Sequence, residues 1–241
     1  MIKKGEKILL LGEKKYLIKA EKRKFSTEFG EIDLEKLIGK KFGTKIKSHL
    51  GKEFTVVEPS LPDILRKIKR GPQIITLKDA GLIASFTGLN KKSKVVEAGS
   101  GSGHLTIFLS KIADKVYSYE KRENFYEIAK KNIEDLNLKN VKIKNEDVKK
   151  CKKKDVDVFI LDMGSPEKHI STARNALKPG GYLVVYSPVV EQAQRLDLEG
   201  FTEIETVECI LRNWSVGNNR TRPKTIPIGH TAFLTFARKA I

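Results

Sequence analysis

From Lys94 onwards, short apolar runs alternate with longer segments whose apolar residues recur every three or four positions. The short runs predict buried strands, and the longer spacing predicts amphipathic helices between them. Because strands and helices alternate, we expect a parallel sheet joined by right-handed crossovers. The predicted strands are Val95–Ala98, Val116–Tyr119, Val141–Lys144, Val156–Leu161 and Tyr182–Tyr186.

The segments between these strands carry apolar faces with helical spacing. These faces consist of Leu105, Phe108, Leu109 and Ile112, of Phe125, Ala129, Ile133 and Leu136, and of Ala173, Ala176 and Leu177. A further helix is predicted near Glu191–Leu198. Two last strands are predicted near Glu203–Leu211 and over Thr231–Ala237. Since no helical spacing separates these two strands, they should pair antiparallel.

Residues 1–58 follow a different pattern, in which short apolar runs are separated by glycines. The runs predict a small antiparallel β domain, followed by a linker at 59–69 and a second domain at 70–241. Within the linker, Ile64, Leu65 and Ile68 indicate the start of a basic helical turn. The many lysines of the first domain suit an RNA-docking platform and equally a solvated accessory or dimerising domain, because charge alone names no partner. Its predicted strands are Ile8–Leu11, Tyr16–Ala20, Phe25–Thr27 and Phe54–Val57.

Three glycines at alternate positions, Gly99, Gly101 and Gly103, separate the first strand of the second domain from its first helix. Such a loop brings a ligand against bare backbone at the amino end of a helix, although alone it also fits an ordinary strand-to-helix turn. Glu120 ends the next strand about twenty residues on, where nucleotide-binding folds place an acid on the ribose hydroxyls. The glycine spacing differs from that of pyrophosphate binders, and no triphosphate loop is present. Together these features predict S-adenosylmethionine (SAM) as the ligand.

Functional residue types follow the predicted parallel strands at the point where each strand ends. The first four strands lead to Gly99, Glu120, Asp147 and Asp162, and the fifth ends at Tyr186. In open α/β sheets the ligand lies outside the carboxyl ends of the strands. Each acid by itself fits a capping role. The convergence of three carboxylates, an aromatic ring and a glycine loop on one edge predicts the functional site.

Lysine and arginine outnumber aspartate and glutamate by 47 to 30, which gives a net charge of +17. This excess suits a polyanionic partner such as nucleic acid. A lysine-rich thermophile surface would enrich both signs and would not explain it. The stretch Ser215–Gly229 carries Arg220, Arg222 and Lys224 and no acid. We interpret it as a loop that contacts RNA phosphate, with a mobile basic loop as the alternative.

The sequence shows neither a motif typical of a metal site nor an apolar segment typical of a membrane span. The two cysteines, Cys151 and Cys209, lie far apart, and the four histidines include no HExxH motif. We therefore predict no metal site. No apolar run approaches the length of a signal peptide core or a membrane span. We expect a cytoplasmic protein.

Motifs spread over nearly the whole chain occur in an order that is more specific than the glycine loop alone. They are Gly5–Leu10, Phe25–Gly30, Leu37–Gly39, Arg70-x-x-Gln73 with Lys78-Asp79, Glu97–Gly103 with Leu105-Thr106, Tyr186-x-Pro188 with Gln192, and Gly229-His-Thr-x-Phe233-Leu. With these motifs the chain resembles the tRNA (adenine-N1)-methyltransferases that act on the T-loop, in their archaeal and bacterial branch. The SAM loop is shared by many methyltransferases, whereas the other motifs in this order are not.

The resemblance implies a Rossmann-like class I SAM-dependent methyltransferase with a small N-terminal β domain, usually tetrameric, that acts on tRNA. It implies that Glu120 holds the ribose, that Asp147 contacts the cofactor adenine, and that Asp162 lies beside the target base. Tyr186 is predicted to pack on that base, with a core tyrosine as the alternative. The predicted cofactor contacts are Gly99, Gly101, Ser102, Gly103, His104, Leu105, Glu120, Asp147 and Asp162. The predicted substrate contacts are Gln73, Thr76, Arg220, Arg222 and His230, and the predicted catalytic residues are Asp162 and Tyr186.

Two departures from the family pattern fall on the side of the target base. Thr76-Leu77 stands where the family usually has Tyr-Pro, and Asp162 continues into Met163-Gly164-Ser165 rather than Leu-Pro. Two other functions therefore stay open. One is a small-molecule methyltransferase of the corrinoid-pathway type, which the basic loop disfavours. The other is a non-catalytic RNA-binding subunit, which the retained Glu120, Asp147 and Asp162 disfavour.

Overall fold

The computed structural model of the chain describes residues 1–69, 71, 74–217, 220–224 and 229–240. Contacts between residues divide the chain into two units, Met1–Ile68 and Lys69–Ile241. Gln73, one of the predicted substrate contacts, lies outside the described residues. In the described ranges, no helix is long and apolar enough to cross a membrane.

The first unit is built from antiparallel strands, as its short apolar runs predict. The strands are β1 (Lys7–Leu11), β2 (Lys15–Lys19), β3 (Lys24–Thr27), β4 (Gly30–Asp33), β5 (Lys45–Lys47) and β6 (Glu53–Val57). A four-stranded sheet has the order β2-β1-β6-β5, and β3 pairs with β4 in a hairpin. Alternate side chains of β1 and β6, including Ile8, Leu10, Phe54 and Val56, share one buried core. The pattern missed β4 and β5 because strands of three or four residues hold too few apolar positions to show alternation.

The segment 59–69, predicted as a linker with a helical turn at Ile64, Leu65 and Ile68, contains a helix. This helix, α1 (Leu61–Lys67), has a proline in its first turn and buries Ile64 and Leu65. The Asp63 carboxylate accepts a hydrogen bond from the Ser60 backbone N–H at 3.1 Å, which satisfies one donor at the helix start. The contacts assign this helix to the first unit, which extends to Ile68.

The second unit, within its described residues, contains a seven-stranded sheet of mixed direction. Its strands are β7 (Lys94–Ala98), β8 (Lys115–Tyr119), β9 (Val141–Lys144), β10 (Val156–Leu161), β11 (Leu177–Ser187), β12 (Phe201–Glu208) and β15 (Phe233–Lys239), and β13 (Trp214–Ser215) and β14 (Arg222–Pro223) form a separate ribbon. The order in the sheet is β12-β15-β11-β10-β7-β8-β9. The five strands from β11 to β9 in this order pair in parallel, and β15 pairs antiparallel with both β11 and β12.

All five predicted parallel strands and the predicted antiparallel pair are confirmed. The largest difference is β11, which begins at Leu177 rather than Tyr182 and carries a register irregularity against β10. From β7 the chain proceeds outwards to β8 and β9, and then crosses back to β10 on the other side of β7. The strand order therefore reverses between β7 and β10, and the rule for open α/β sheets places a ligand site there.

Helices cover both faces of this sheet. They are α2 (Leu77–Phe86), α3 (His104–Ser110), α4 (Glu123–Asp135), α5 (Ile170–Ala176) and α6 (Val190–Gln194). Neighbouring residues of β7 point to opposite faces, so Val95 joins a core with α2 and α3 while Val96 joins a core with α5. Burial of both faces explains the long apolar runs of β10 and β11, whereas β9, at the edge of the sheet, alternates half-buried and exposed residues. The last helix, α6, is shorter than the predicted Glu191–Leu198.

Candidate active site

A cavity of about 650 Å³ opens at the carboxyl ends of β7, β8, β9 and β10. Its volume is in the range of pockets that hold small ligands, about 300–1,000 Å³. Five of the predicted residues line this single cavity: Gly99, Gly101, Glu120, Asp147 and Asp162. The topology therefore brings together, at the reversal of strand order, residues that are far apart in the sequence.

Gly99 lets the ends of two strands approach each other. Its backbone has φ +89°, and a Cβ atom at this position would lie 1.7 Å from the backbone oxygen of Asp162. No side chain fits that space, so glycine is required for the turn out of β7. Gly103 has φ +85° and forms the N-cap of α3. The glycines thus shape the loop without filling the cavity.

Glu120 links the end of β8 to the glycine loop. Its side chain is buried, and its carboxylate accepts hydrogen bonds from the backbone N–H of Gly101 at 3.0 Å and of Arg122 at 3.0 Å. The Arg122 guanidinium also donates to this carboxylate through Nε at 3.0 Å and packs over the Phe125 ring, 4.2 Å from its centroid. This acid is therefore held at a defined position beside bare backbone.

Asp147 lies on the cavity wall beyond β9. Its Oδ1 accepts a hydrogen bond from the Lys149 backbone N–H at 2.9 Å and so caps the short 3-10 helix Val148–Lys150. Its side chain keeps 37% exposure, which leaves the carboxylate accessible from the cavity. His169 lies across from it, with Nδ1 at 3.9 Å from Asp147 Oδ1.

Asp162 follows β10 directly, and its backbone N–H donates to the carbonyl of Ala98 at 2.9 Å. Burial, with a smaller contribution from the nearby carboxylates of Glu97 and Glu120, raises the pKa of its carboxyl group to about 7, and Arg122 opposes this shift. Glu97, deep in β7, has a pKa raised to about 7, also chiefly by burial. A carboxyl group with such a pKa responds strongly to any positive charge that develops beside it.

Tyr186 is placed differently from the acids. It is 4% exposed and is not among the described residues that line the cavity. Burial raises the pKa of its hydroxyl, which interacts with Thr231 and with the carboxylate of Asp79. Lys78 Nζ lies 2.6 Å from Asp79 Oδ1 and 2.7 Å from Thr231 Oγ1. Thr76 joins the same buried polar network by donating to Asp79 Oδ2 at 2.9 Å.

His230 is held by protein groups on both sides of its ring. Nδ1 contacts the carboxylate of Glu208, and Nε2 donates to the backbone oxygen of Pro188 at 2.9 Å. With acceptors at both nitrogens, Glu208 foremost, the pKa of His230 is raised. Its ring thereby supports Pro188, which lines the cavity. Arg220 and Arg222 are exposed in and next to the ribbon of β13 and β14.

The side chains at the start of α3 point into the protein. Ser102 is buried and its hydroxyl lies 3.2 Å from Nδ1 of His104. Leu105 packs in the core with α2. Of the described part of the glycine loop, only Gly99 and Gly101 line the cavity.

Sequence reasoning did not predict most of the other residues that line the cavity, among them Arg122, His169 and Gln192. Arg122 follows Glu120 by two positions, which is a local signal. Gln192 was noted only as part of a motif, and its buried Oε1 has no hydrogen-bond partner among the described atoms. His169 has no periodic or motif signal, because it reaches the cavity through the crossover after β10. The described residues contain no cluster of His, Cys, Asp and Glu that could hold a metal ion.

The fold has close structural relatives. A SAM-dependent O-methyltransferase from Thermotoga maritima matches with a TM-score of 0.88 at 33% identity, over 99% of this chain and 94% of that one. The tRNA (m1A58) methyltransferase TrmI from Aquifex aeolicus matches with a TM-score of 0.82 at 34% identity, over 99% and 98% of the two chains. Together with the glycine loop and the sheet order, these matches define a class I SAM-dependent methyltransferase fold.

Sequence comparison narrows this class to one family. The model for the tRNA methyltransferase complex GCD14 subunit matches residues 65–224. The tRNA (adenine(57)-N(1)/adenine(58)-N(1))-methyltransferase TrmI of Methanocaldococcus jannaschii is 36% identical, over 93% of this chain and 91% of that protein. The chain belongs to this family of tRNA (adenine-N1)-methyltransferases.

Proposed function

We propose that this protein transfers a methyl group from SAM to N1 of a T-loop adenine in tRNA. The observation that carries the proposal is the single cavity lined by Gly101, Glu120, Asp147 and Asp162 at the reversal of strand order. Relatives with this activity in their names, in an archaeon and in a bacterium, support the choice of substrate. The net charge of +17 suits a polyanionic partner.

The residues of the cavity fit SAM. Buried Glu120 offers an acceptor for ribose hydroxyls, and Asp147 offers one for the exocyclic amine of the cofactor adenine. The bare backbone of Gly99 and Gly101 leaves room for the methionine part of the molecule. When bound, SAM supplies a methyl group activated by a sulfonium ion. The carboxylates on the cavity wall complement that positive charge.

Asp162 is the residue that we assign to the reacting base. Its carboxylate would accept a hydrogen bond from the exocyclic amine of the target adenine and so orient N1 towards the methyl group. Methylation at N1 leaves the adenine ring cationic. An ionised carboxylate beside the ring stabilises this developing charge, and the water-poor site strengthens the effect. Because the N1 lone pair is the nucleophile, no general base is needed to start the reaction.

Tyr186 serves the same reaction from behind the cavity wall. Its ring is buried and its hydroxyl interacts with Thr231 and Asp79, so it fixes the end of β11 that leads to Pro188. Thr76 takes part in this network through Asp79. In this arrangement Thr76 supports the acceptor side and does not form the aromatic wall that the family motif would supply.

The proposal extends to an oligomeric enzyme. Apolar side chains are exposed along the edge strand β12 and the segment after it, at Ile204, Ile210, Leu211, Trp214 and Val216. Such a patch suits association with further copies of the chain, and the family resemblance points to a tetramer. Light scattering after size exclusion tests this, and a monomer at micromolar concentration would contradict it.

The decisive experiment is methyl transfer followed by identification of the product. We expect the purified chain to move label from SAM to unmodified tRNA transcript, and nucleoside mass spectrometry to find N1-methyladenosine. A transcript with uridine at the T-loop adenine positions is the matched control and should stay unlabelled. A second candidate, methylation of an oxygen atom of the tRNA, rests on the similarity to the Thermotoga maritima O-methyltransferase. Detection of an O-methylated nucleoside instead would favour it and refute N1 transfer.

A further inference from the structure

His169 is the cavity residue whose surroundings the proposed function leaves unexplained. It ends the 3-10 helix Pro166–His169, just before α5, and lines the cavity. The residue is 4% exposed, and its Nδ1 is buried without a hydrogen-bond partner among the described atoms. Leaving such a group without a partner is energetically costly. The arrangement therefore calls for a partner that the ligand-free geometry does not provide.

The nearest candidate partner is the carboxylate of Asp147, whose Oδ1 lies 3.9 Å from Nδ1. This separation is too long for a hydrogen bond, which needs about 3 Å, and too short for a bridging water, which needs about 5 Å. A relative movement of about 1 Å would make the bond direct. Four charged side chains act on the imidazole. Asp147 and Glu167 raise the pKa of His169, and Lys149 and Lys121 lower it. Burial lowers the pKa of His169, so the ring is neutral near pH 7 and donates through one nitrogen.

The oxygens of Asp147 are not equivalent in this geometry. Oδ1 already accepts from the Lys149 backbone N–H at 2.9 Å. Because His169 approaches the same oxygen, both protein donors would act on Oδ1. The second oxygen, Oδ2, then remains for a ligand. Two fixed donors on one oxygen determine the direction in which the other oxygen points.

We propose that His169 is a positioning residue that donates from Nδ1 to Asp147 and thereby aims Oδ2 at the exocyclic amine of the cofactor adenine. This inference rests on the proposed function, because it takes the cavity to be the SAM site. A carboxylate held in this way accepts from an amine but repels the carbonyl oxygen that hypoxanthine carries at the same position. His169 therefore determines how well the site distinguishes adenine from hypoxanthine.

The test measures binding rather than turnover. Isothermal titration of the full chain gives the dissociation constants of S-adenosylhomocysteine and S-inosylhomocysteine, which differ only in this base. We expect the wild-type chain to prefer the adenine ligand. In His169→Phe, which removes the donor, that preference should fall by about tenfold, because the affinity for the adenine ligand drops while that for the hypoxanthine ligand stays.

Two amide variants locate the donor. His169→Asn places a side-chain nitrogen close to the position of Nδ1 and should keep most of the preference. His169→Gln places its nitrogen near the position of Nε2 and should lose the preference as the phenylalanine variant does. In an Asp147→Ala background, His169→Phe should cause no further loss of preference, because the group it acts through is gone. Thermal melts of all variants check that they fold.

The outcomes separate the inference from the proposed function. A wild-type chain that binds neither ligand would refute the proposed function and this inference with it. Wild-type binding with an unchanged preference in folded His169→Phe or His169→Gln would overturn the inference alone. An equal loss of both ligands in every variant, including His169→Asn, would show a purely structural role and would also overturn it.

Discussion

The proposed cofactor and acceptor halves of the site are built in different ways. On the cofactor side, Gly99, Glu120 and the segment that holds Asp147 follow directly from the ends of β7, β8 and β9. On the acceptor side, Thr76 and Tyr186 come from distant segments and meet in a buried network behind the wall. The first half depends on strand order, which the parallel sheet imposes. The second depends on side-chain packing, and it is also where the chain departs from the family motifs.

This contrast suggests that one half serves cofactor binding and the other serves methyl transfer. The cofactor half offers backbone and carboxylates at the sheet edge, a geometry that any class I fold of this topology provides. The acceptor half contains a buried ion pair between Lys78 and Asp79, whose side chains are 11% and 0% exposed. A buried ion pair is weak evidence for stability. Removing one partner nevertheless destabilises the protein strongly, because the other charge stays buried without a partner. We therefore expect substitutions in the two halves to separate binding from transfer.

Asp162→Ala should separate the rate of methyl transfer from cofactor affinity more strongly than any other substitution. Transfer to tRNA should fall by about 10²–10³-fold or more, because the carboxylate that faces the developing charge is gone. Affinity for S-adenosylhomocysteine, whose sulfur carries no charge, should stay roughly the same. Single-turnover rates and titration calorimetry measure the two effects. Asp114→Ala, an exposed acid before β8 at the opposite edge of the sheet, serves as the control. Full transfer activity in Asp162→Ala would remove this residue from the mechanism.

Glu120→Gln should show the opposite pattern. We expect SAM affinity to fall by about 10–100-fold, because hydroxyl groups lose a charged acceptor, while the rate at saturating SAM changes little. Calorimetry with S-adenosylhomocysteine measures the affinity. Glu134→Gln, an exposed residue of α4, is the matched control. Unchanged affinity in Glu120→Gln would move the ribose contact to another residue.

The pH dependence of transfer should report Asp162. With its pKa raised to about 7, the carboxyl group is neutral below that pH and ionised above it. At subsaturating SAM, the rate should therefore drop up to about tenfold per unit as the pH falls below this value. Saturation with the cationic cofactor should shift the midpoint lower, since a nearby positive charge favours the ionised form. Asp162→Asn should abolish this limb, and a flat wild-type profile from about pH 6 to pH 8 would contradict the assignment.

The smallest expected effect concerns the basic loop. Replacing Arg220, Arg222 and Lys224 with glutamine should weaken the salt dependence of tRNA affinity. The slope of log affinity against log salt concentration should become shallower by about one for each phosphate that the loop no longer neutralises. A charge-matched control replaces Lys4, Lys40 and Lys41 of the first unit with glutamine. Filter binding over a range of salt concentrations compares the two triple variants. An unchanged slope in the loop variant with a reduced slope in the control would assign RNA docking to the first unit instead.

Much of the fold was predictable because its signals are local. Apolar runs indicated the five parallel strands, and the lack of helical spacing indicated the antiparallel pair of β12 and β15. The short strands β4 and β5 were not predicted, since too few residues carry their pattern, whereas the spacing of Ile64, Leu65 and Ile68 did indicate the helical turn in the linker. Strand ends are also local features. For this reason Gly99, Glu120 and Asp162 were predicted together and meet in one cavity.

The sequence by itself determined the alternation of strands and helices, the glycine loop and the acids at the strand ends, because residue spacing encodes each of these. Only the tertiary structure decided that Tyr186 lies behind the wall, that His230 bonds to Pro188, and that His169 approaches Asp147. Those interactions join segments far apart in the chain. Their distances depend on how crossovers and helices pack over the sheet, which no local pattern records.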